Sequence, residues 1–145
     1  MAEAKIQPVS LEPAAFEVGN SEDECVLLGN RCPQCDLVFF PRRHFCTRCS
    51  GSGLEENRLS KKGRLLSFTT VYQKPKFAIV EPPYLMGEVD LPEKVVIYSL
   101  LTQLTRGLHK ELKIGGEVEL TAVKVREEER EGKRVVVFGY AFRPF

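Results

Sequence analysis

The 145-residue chain has no tryptophan, only two histidines and only two methionines. Two histidines leave little for acid–base chemistry, and no Ser-His-Asp arrangement is supported by their spacing. No apolar run approaches the roughly 20 residues that a membrane-spanning helix needs. The N-terminal stretch MAEAKIQPVSLEPAAFEVGN lacks the apolar centre of a secretory signal. Charge of one sign is also missing: 21 Lys and Arg face 20 Asp and Glu, a net charge of +1. A strong nucleic-acid binder usually carries a basic surplus, so that class is disfavoured. These absences lead us to expect a cytoplasmic protein whose five cysteines stay reduced.

What is present is enough to build a core, since 43% of the residues are apolar. Residues 1–24 are expected to form an extended arm, broken by Pro8, Pro13 and Gly19 and read as mostly solvated. Residues 25–57 hold a cysteine module and a short flexible connector, SGSGLEEN. From Arg58 the pattern turns to strands. GRLLSFTTVYQK (63–74), YLMGEVDL (84–91), KVVIYSLLTQL (94–104), EVELTAVKVR (117–126) and RVVVFGYAFRPF (134–145) are rich in β-branched and aromatic residues. EEEREGK (127–133) reads as a charged loop between the last two. The expected fold is mainly β: an arm and a ribbon, then a five-stranded OB-type barrel over 58–145, with an SH3-like barrel as the alternative. Gly87 and Gly139 fall inside strands, where they can permit bends or bulges.

The cysteine module is RCPQCDLVFFPRRHFCTRC, with Cys32, Cys35, Cys46 and Cys49 in a C-x2-C-x10-C-x2-C pattern. Each Cys-x-x-Cys turn sets two thiolates on one side, and two such turns complete a tetrahedron. Structural zinc is the expected occupant, with iron an alternative that spacing cannot separate. Four thiolates leave no open coordination position, so the metal is not expected to be catalytic. His44 is read as an exposed bystander and Cys25 as a small apolar side chain. Phe39, Phe40 and Phe45 serve either the ribbon's own core or its docking on the barrel. Arg42 and Arg43 are either solvated charge or a phosphate contact.

The segments LLGNRCPQCDLVFFPRRHFCTRC, GRLLSFTTVYQKP, PPYLMGEVDL, HKELKIGGEVELTAVKV and FGYAFRPF, in that order, resemble a family of OB-fold, zinc-ribbon proteins associated with acyl-CoA. The resemblance runs from about Val26 to Phe145. Asp36 departs from the glycine the family often has there, and the stretch before the ribbon is poor in helix signals. Members of that family are small accessory subunits of thiolase-type enzymes. They include a companion of acetoacetyl-CoA thiolase and HMG-CoA synthase, and the small subunit of benzoylsuccinyl-CoA thiolase.

The resemblance therefore implies a non-catalytic zinc subunit of a hetero-oligomeric acyltransferase complex. Its catalytic residues would lie on a thiolase-like partner, where a free thiolate and general bases are needed. It further implies contact with acyl-CoA or the partner through Arg42, Arg43, Lys74, Lys76, Phe77 and Tyr84. An aromatic 3-oxoacyl-CoA such as benzoylsuccinyl-CoA is one implied substrate. Two other readings stand beside it. One is a single-stranded nucleic-acid-binding OB module using Tyr72, Phe77, Tyr98 and Arg64. The other is a stand-alone acyl-CoA-binding protein.

Overall fold

The computed structural model describes residues 7–19, 24–76, 81–101 and 112–144, and among them no helix occurs. Five strands form the barrel: β6 (Lys62–Val71), β7 (Tyr84–Asp90), β8 (Val96–Leu101), β9 (Glu117–Arg130) and β10 (Lys133–Pro144). Neighbouring strands run β6–β7–β8–β10–β9, and β9 returns to β6 at Lys62–Arg64. Among these five strands, only β8 and β10 pair in parallel. This closed Greek-key order is that of an OB barrel, as expected.

Period-two patterning explains the closure. Leu65, Leu85, Val89, Ile97 and Leu101 point inward, while Arg64, Leu66, Asp90, Val96 and Tyr98 alternate outward. Bulges fall at Leu66 in β6 and at Val125 in β9, opposite Val137 and Phe138 of β10. They let two long strands bend round the barrel. Gly87, expected to permit a bend or bulge, has another task. A Cβ there would lie 2.6 Å from the Ser67 carbonyl oxygen and 2.9 Å from Leu101 Cδ1. Glycine is required for close approach of β6 to β7.

Three expectations are corrected. The segment read as a charged loop at 127–133 is mostly strand. β9 continues to Arg130 and turns over Glu131 and Gly132, both at positive φ (52° and 76°). Such a two-residue turn suits the twist of a hairpin. Its charges pair rather than repel: Glu127 meets Lys124 and Arg134, and Glu128 meets Arg126 and Arg130. These neighbours hold both carboxyls below the usual carboxylate range.

The N-terminal arm docks on the fold over residues 7–19, burying Ala15 and Phe16 while Glu12–Ala14 and Glu17 stay exposed. β1 (Gln7–Ser10) adds in parallel to Val135–Phe138, and β2 (Phe16–Val18) pairs with β3 (Cys25–Arg31). Phe16 is 1% exposed and sits in the same core as Leu27, Leu59 and Phe142. The connector is likewise part strand, since β5 (Glu55–Arg58) pairs with β3. β4 (Val38–Phe39) completes the ribbon side of that sheet.

Gly87→Ala should destabilise the chain by about 1–3 kcal/mol through overpacking against backbone. Gly53→Ala, where nothing lies within 4 Å, should stay within about 0.5 kcal/mol of the parent. Urea unfolding of both variants checks the contrast.

Candidate metal centre and the pocket beside the barrel

The ribbon is built on β3. Gly29 lets the chain return across it, since a Cβ there would meet the Phe39 carbonyl oxygen at 2.2 Å. Asn30, buried at 6% exposure, pins that return. Its Nδ2 donates to the Arg43 carbonyl at 2.7 Å, and its Oδ1 accepts from the Arg43 N–H at 3.3 Å. Arg31 ties the module's flanks by pairing with Asp36 at 2.6 Å and Glu55 at 3.5 Å.

The two Cys-x-x-Cys turns then face each other. Sulfurs of Cys32, Cys35, Cys46 and Cys49 all lie within 4.8 Å of one another, and Cys32 Sγ and Cys49 Sγ are 3.6 Å apart. A tetrahedron with Zn–S near 2.3 Å has edges of about 3.8 Å, so the group fits zinc. Backbone N–H groups support the thiolates. Cys35 donates to Cys32 Sγ at 3.5 Å, Arg48 to Cys46 Sγ at 3.4 Å, and Gly51 to Cys49 Sγ at 3.4 Å. Such donors favour the charged form of sulfur.

Without a metal, the sulfurs compete for charge. Partial burial, then hydrogen bonds with the other thiols, pushes Cys35 up to about 12. Backbone N–H donation around Cys49 and Arg48 pulls Cys46 down to about 7. Metal binding must displace the protons that remain. Cys32 and Cys46 are buried, whereas Cys49 is exposed. His44 is exposed and stands outside the four-sulfur group. Cys25 lies in the core at 2% exposure.

The other expected contacts do not converge on one site. Arg42 pairs with Glu56 at 3.4 Å, and the Arg43 guanidinium lies over the Phe39 ring at 5.6 Å. Lys74 pairs with Glu81 at 2.5 Å. Phe77 lies outside the described residues. Lys76 and Tyr84 do come together, at a pocket of about 380 Å³ on the outer face of the barrel.

The arm supplies one wall of that pocket through Leu11, Glu12 and Phe16. The barrel supplies the other through Met86, Leu100 and Tyr140. Tyr140 packs edge-on against Phe16 and Phe40, each with ring centroids 5.9 Å apart. Its hydroxyl donates to the Tyr98 carbonyl at 3.2 Å. Burial, and secondarily the Glu12 carboxylate, raises its pKa, so it remains a donor. The pocket's size and apolar lining suit an organic ligand segment.

Sequence reasoning missed Asn30, Phe16 and Tyr140. Asn30, two residues before the first metal cysteine in a largely apolar strand, was the one with a local signal. Phe16 and Tyr140 are 124 residues apart by number and meet only through folding.

Residues 23–55 match the family model described as the ChsH2 rubredoxin-like zinc ribbon domain, and residues 56–123 match the ChsH2 C-terminal OB-fold domain. A DUF35 domain-containing scaffold protein of Pyrococcus furiosus is 36% identical over 118 residues, covering 81% of this chain and 82% of that one. A benzoylsuccinyl-CoA thiolase subunit of Thauera aromatica, BbsA, is 35% identical over 117 residues, covering 81% and 75%. The solved structure described as an Ltp2-ChsH2(DUF35) aldolase superposes with a TM-score of 0.60 at 22% identity, covering 82% of this chain and 84% of that one. That last likeness bears on the fold.

Purified chain should carry close to one zinc per molecule. Chelation should lower its thermal midpoint, and Cys46→Ser should do the same. Because thiol protons oppose the metal, zinc affinity should fall as pH drops from about 8 to 5. A competition titration with a chromogenic chelator across that range checks the sign.

Proposed function

Because this chain belongs to the ChsH2/DUF35 family of joined zinc-ribbon and OB-fold proteins, we propose that it is a non-catalytic accessory subunit of a thiolase-type complex. The observation that carries this reading is the 30–36% identity to scaffold proteins and thiolase subunits, which spans both the ribbon and the barrel. The chemistry agrees. Zinc held by Cys32, Cys35, Cys46 and Cys49 has no open position for substrate. Its part is to brace the β3–β4 ribbon. The arm at 1–24, the ribbon and connector at 25–57 and the barrel at 58–145 then present one combined surface to the partner.

The reaction of such a complex cleaves a 3-oxoacyl-CoA, with the attacking thiolate on the partner. An aromatic 3-oxoacyl-CoA such as benzoylsuccinyl-CoA is the finer form of this reading, drawn from the BbsA relatives. Within it, Lys76 and Tyr84 border the pocket that would receive part of the acyl-CoA, with Phe77 close by in sequence. Arg42, Arg43 and Lys74 serve the partner or the nucleotide phosphates in place of their present neighbours. Assembly in the cytoplasm suits thiolates kept for zinc.

Co-expression with the thiolase-like protein encoded beside it should yield a stable complex with thiolysis activity. The isolated chain should have none. Tyr84→Ala should raise KM for acyl-CoA in the complex while leaving its zinc content unchanged. A chain that never co-purifies with such a protein under these conditions defeats the reading.

A further inference from the structure

Strand β6 is used unevenly along its two edges. One edge pairs with β7 from Arg64 to Val71. The other meets β9 only at Lys62–Arg64, and Leu65 then exchanges backbone hydrogen bonds with Gly115 and Gly116. From Leu66 to Tyr72, no backbone bond among the described residues occupies that second edge. Edge strands are normally protected by lysine, proline or an inward charge, because their open N–H and C=O groups invite another strand. Here Leu65 to Gln73 contains no charged residue and no proline. Leu66, Phe68 and Tyr72 are 43%, 37% and 77% exposed, and Thr69 and Thr70 are exposed as well. A strand, rather than a globular face, is what this edge accepts.

The residue order identifies which strand. The bulge ends at Ser67, and Lys74-Pro75 closes the segment at its other end. The uncharged stretch Ser67–Gln73 begins in β6 and runs two residues past the end of that strand at Val71, and its midpoint is Thr70. Antiparallel self-pairing about Thr70 sets Phe68 opposite Tyr72 twice, Thr70 opposite Thr70, and Thr69 opposite Val71. Aromatic–aromatic and Thr–Thr pairs are among the favourable cross-strand pairs. No charge meets a like charge within the stretch. Lys74, which would come next, has its ammonium held by Glu81 at 2.5 Å.

We propose that β6 is a self-association edge: two copies of this chain pair antiparallel about a twofold axis at Thr70. The sheet then runs continuously from one barrel to the other. Such an interface is isologous, so it closes at two copies and does not propagate. The ladder is short, so the dimer forms in a concentration-dependent way. This inference goes beyond the accessory role and does not rest on it.

Analytical ultracentrifugation of the zinc-loaded full chain over a concentration series tests it. The parent should pass from monomer to dimer. Thr70→Lys, which sets two ammonium groups opposite each other, should weaken association at least tenfold with zinc content and thermal midpoint unchanged. Thr70→Cys gives a second readout. Directly opposite residues in an antiparallel pair lie about 4.5–5.5 Å apart at Cα, within reach of a disulfide. Mild oxidation should therefore cross-link Thr70→Cys far faster than Lys133→Cys, which lies on the exposed hairpin end. A parent that stays monomeric overturns the proposal, as does a dimer that Thr70→Lys leaves intact or equal cross-linking of the two cysteine variants. A monomeric parent whose Thr70→Lys variant loses only capture of the thiolase-like protein gives the edge to that partner and likewise overturns self-pairing.

Discussion

Three rings hold the molecule together as one body. Tyr140 on β10 meets Phe16 from the arm and Phe40 from the ribbon, both edge-on at 5.9 Å. Edge-to-face pairs of this kind add about 0.5–1.5 kcal/mol beyond the area they bury. Their larger effect is geometric. Phe16 and Phe40 come from short segments that add little core of their own. The arm offers two short strands, and the ribbon offers one buried strand and a metal. Docked on Tyr140, both share the barrel's core, which runs without a break from Phe16 and Leu27 to Ile97 and Phe142.

The metal centre and the aromatic junction divide the labour. The four sulfurs shape the ribbon locally, and Asn30 carries that shape into β3 through its two bonds to Arg43. A second polar link secures the descent into the barrel. The Ser60 N–H donates to Glu93 Oε2 at 2.6 Å, across the turn between β7 and β8. The ribbon is thus anchored at two points, one aromatic and one polar. That arrangement suits a rigid brace better than a swinging module.

The pocket follows from the same docking. Its floor is the outer face of β7 and β8, and its wall is the arm that Phe16 holds down. A barrel without the arm would present an open sheet face there. The arm converts that face into a concavity and brings Glu12 to its lining, opposite Lys76 from the connection after β6.

Much was readable from residue order alone, because it was local. Cys-x-x-Cys spacing encodes a metal turn whatever surrounds it, and the inward alternation of Leu65, Leu85, Val89 and Ile97 encodes strands. Five such strands with short turns implied the barrel. Other features depended on partners distant in the chain. The charges at 126–134 look like a loop until neighbours along β9, and Arg134 across on β10, pair with them. Phe16 looks like part of a tail until Tyr140 is beside it. Gly87 looks like a bend until the Ser67 carbonyl lies where a Cβ would need to be. Sequence by itself determined the metal chemistry and the strand periodicity, since both arise within a few bonds. Tertiary structure decided where the arm lies, which contacts form a pocket and which strand edge is left unpaired among the described residues, because each depends on surfaces that meet only once the barrel has closed.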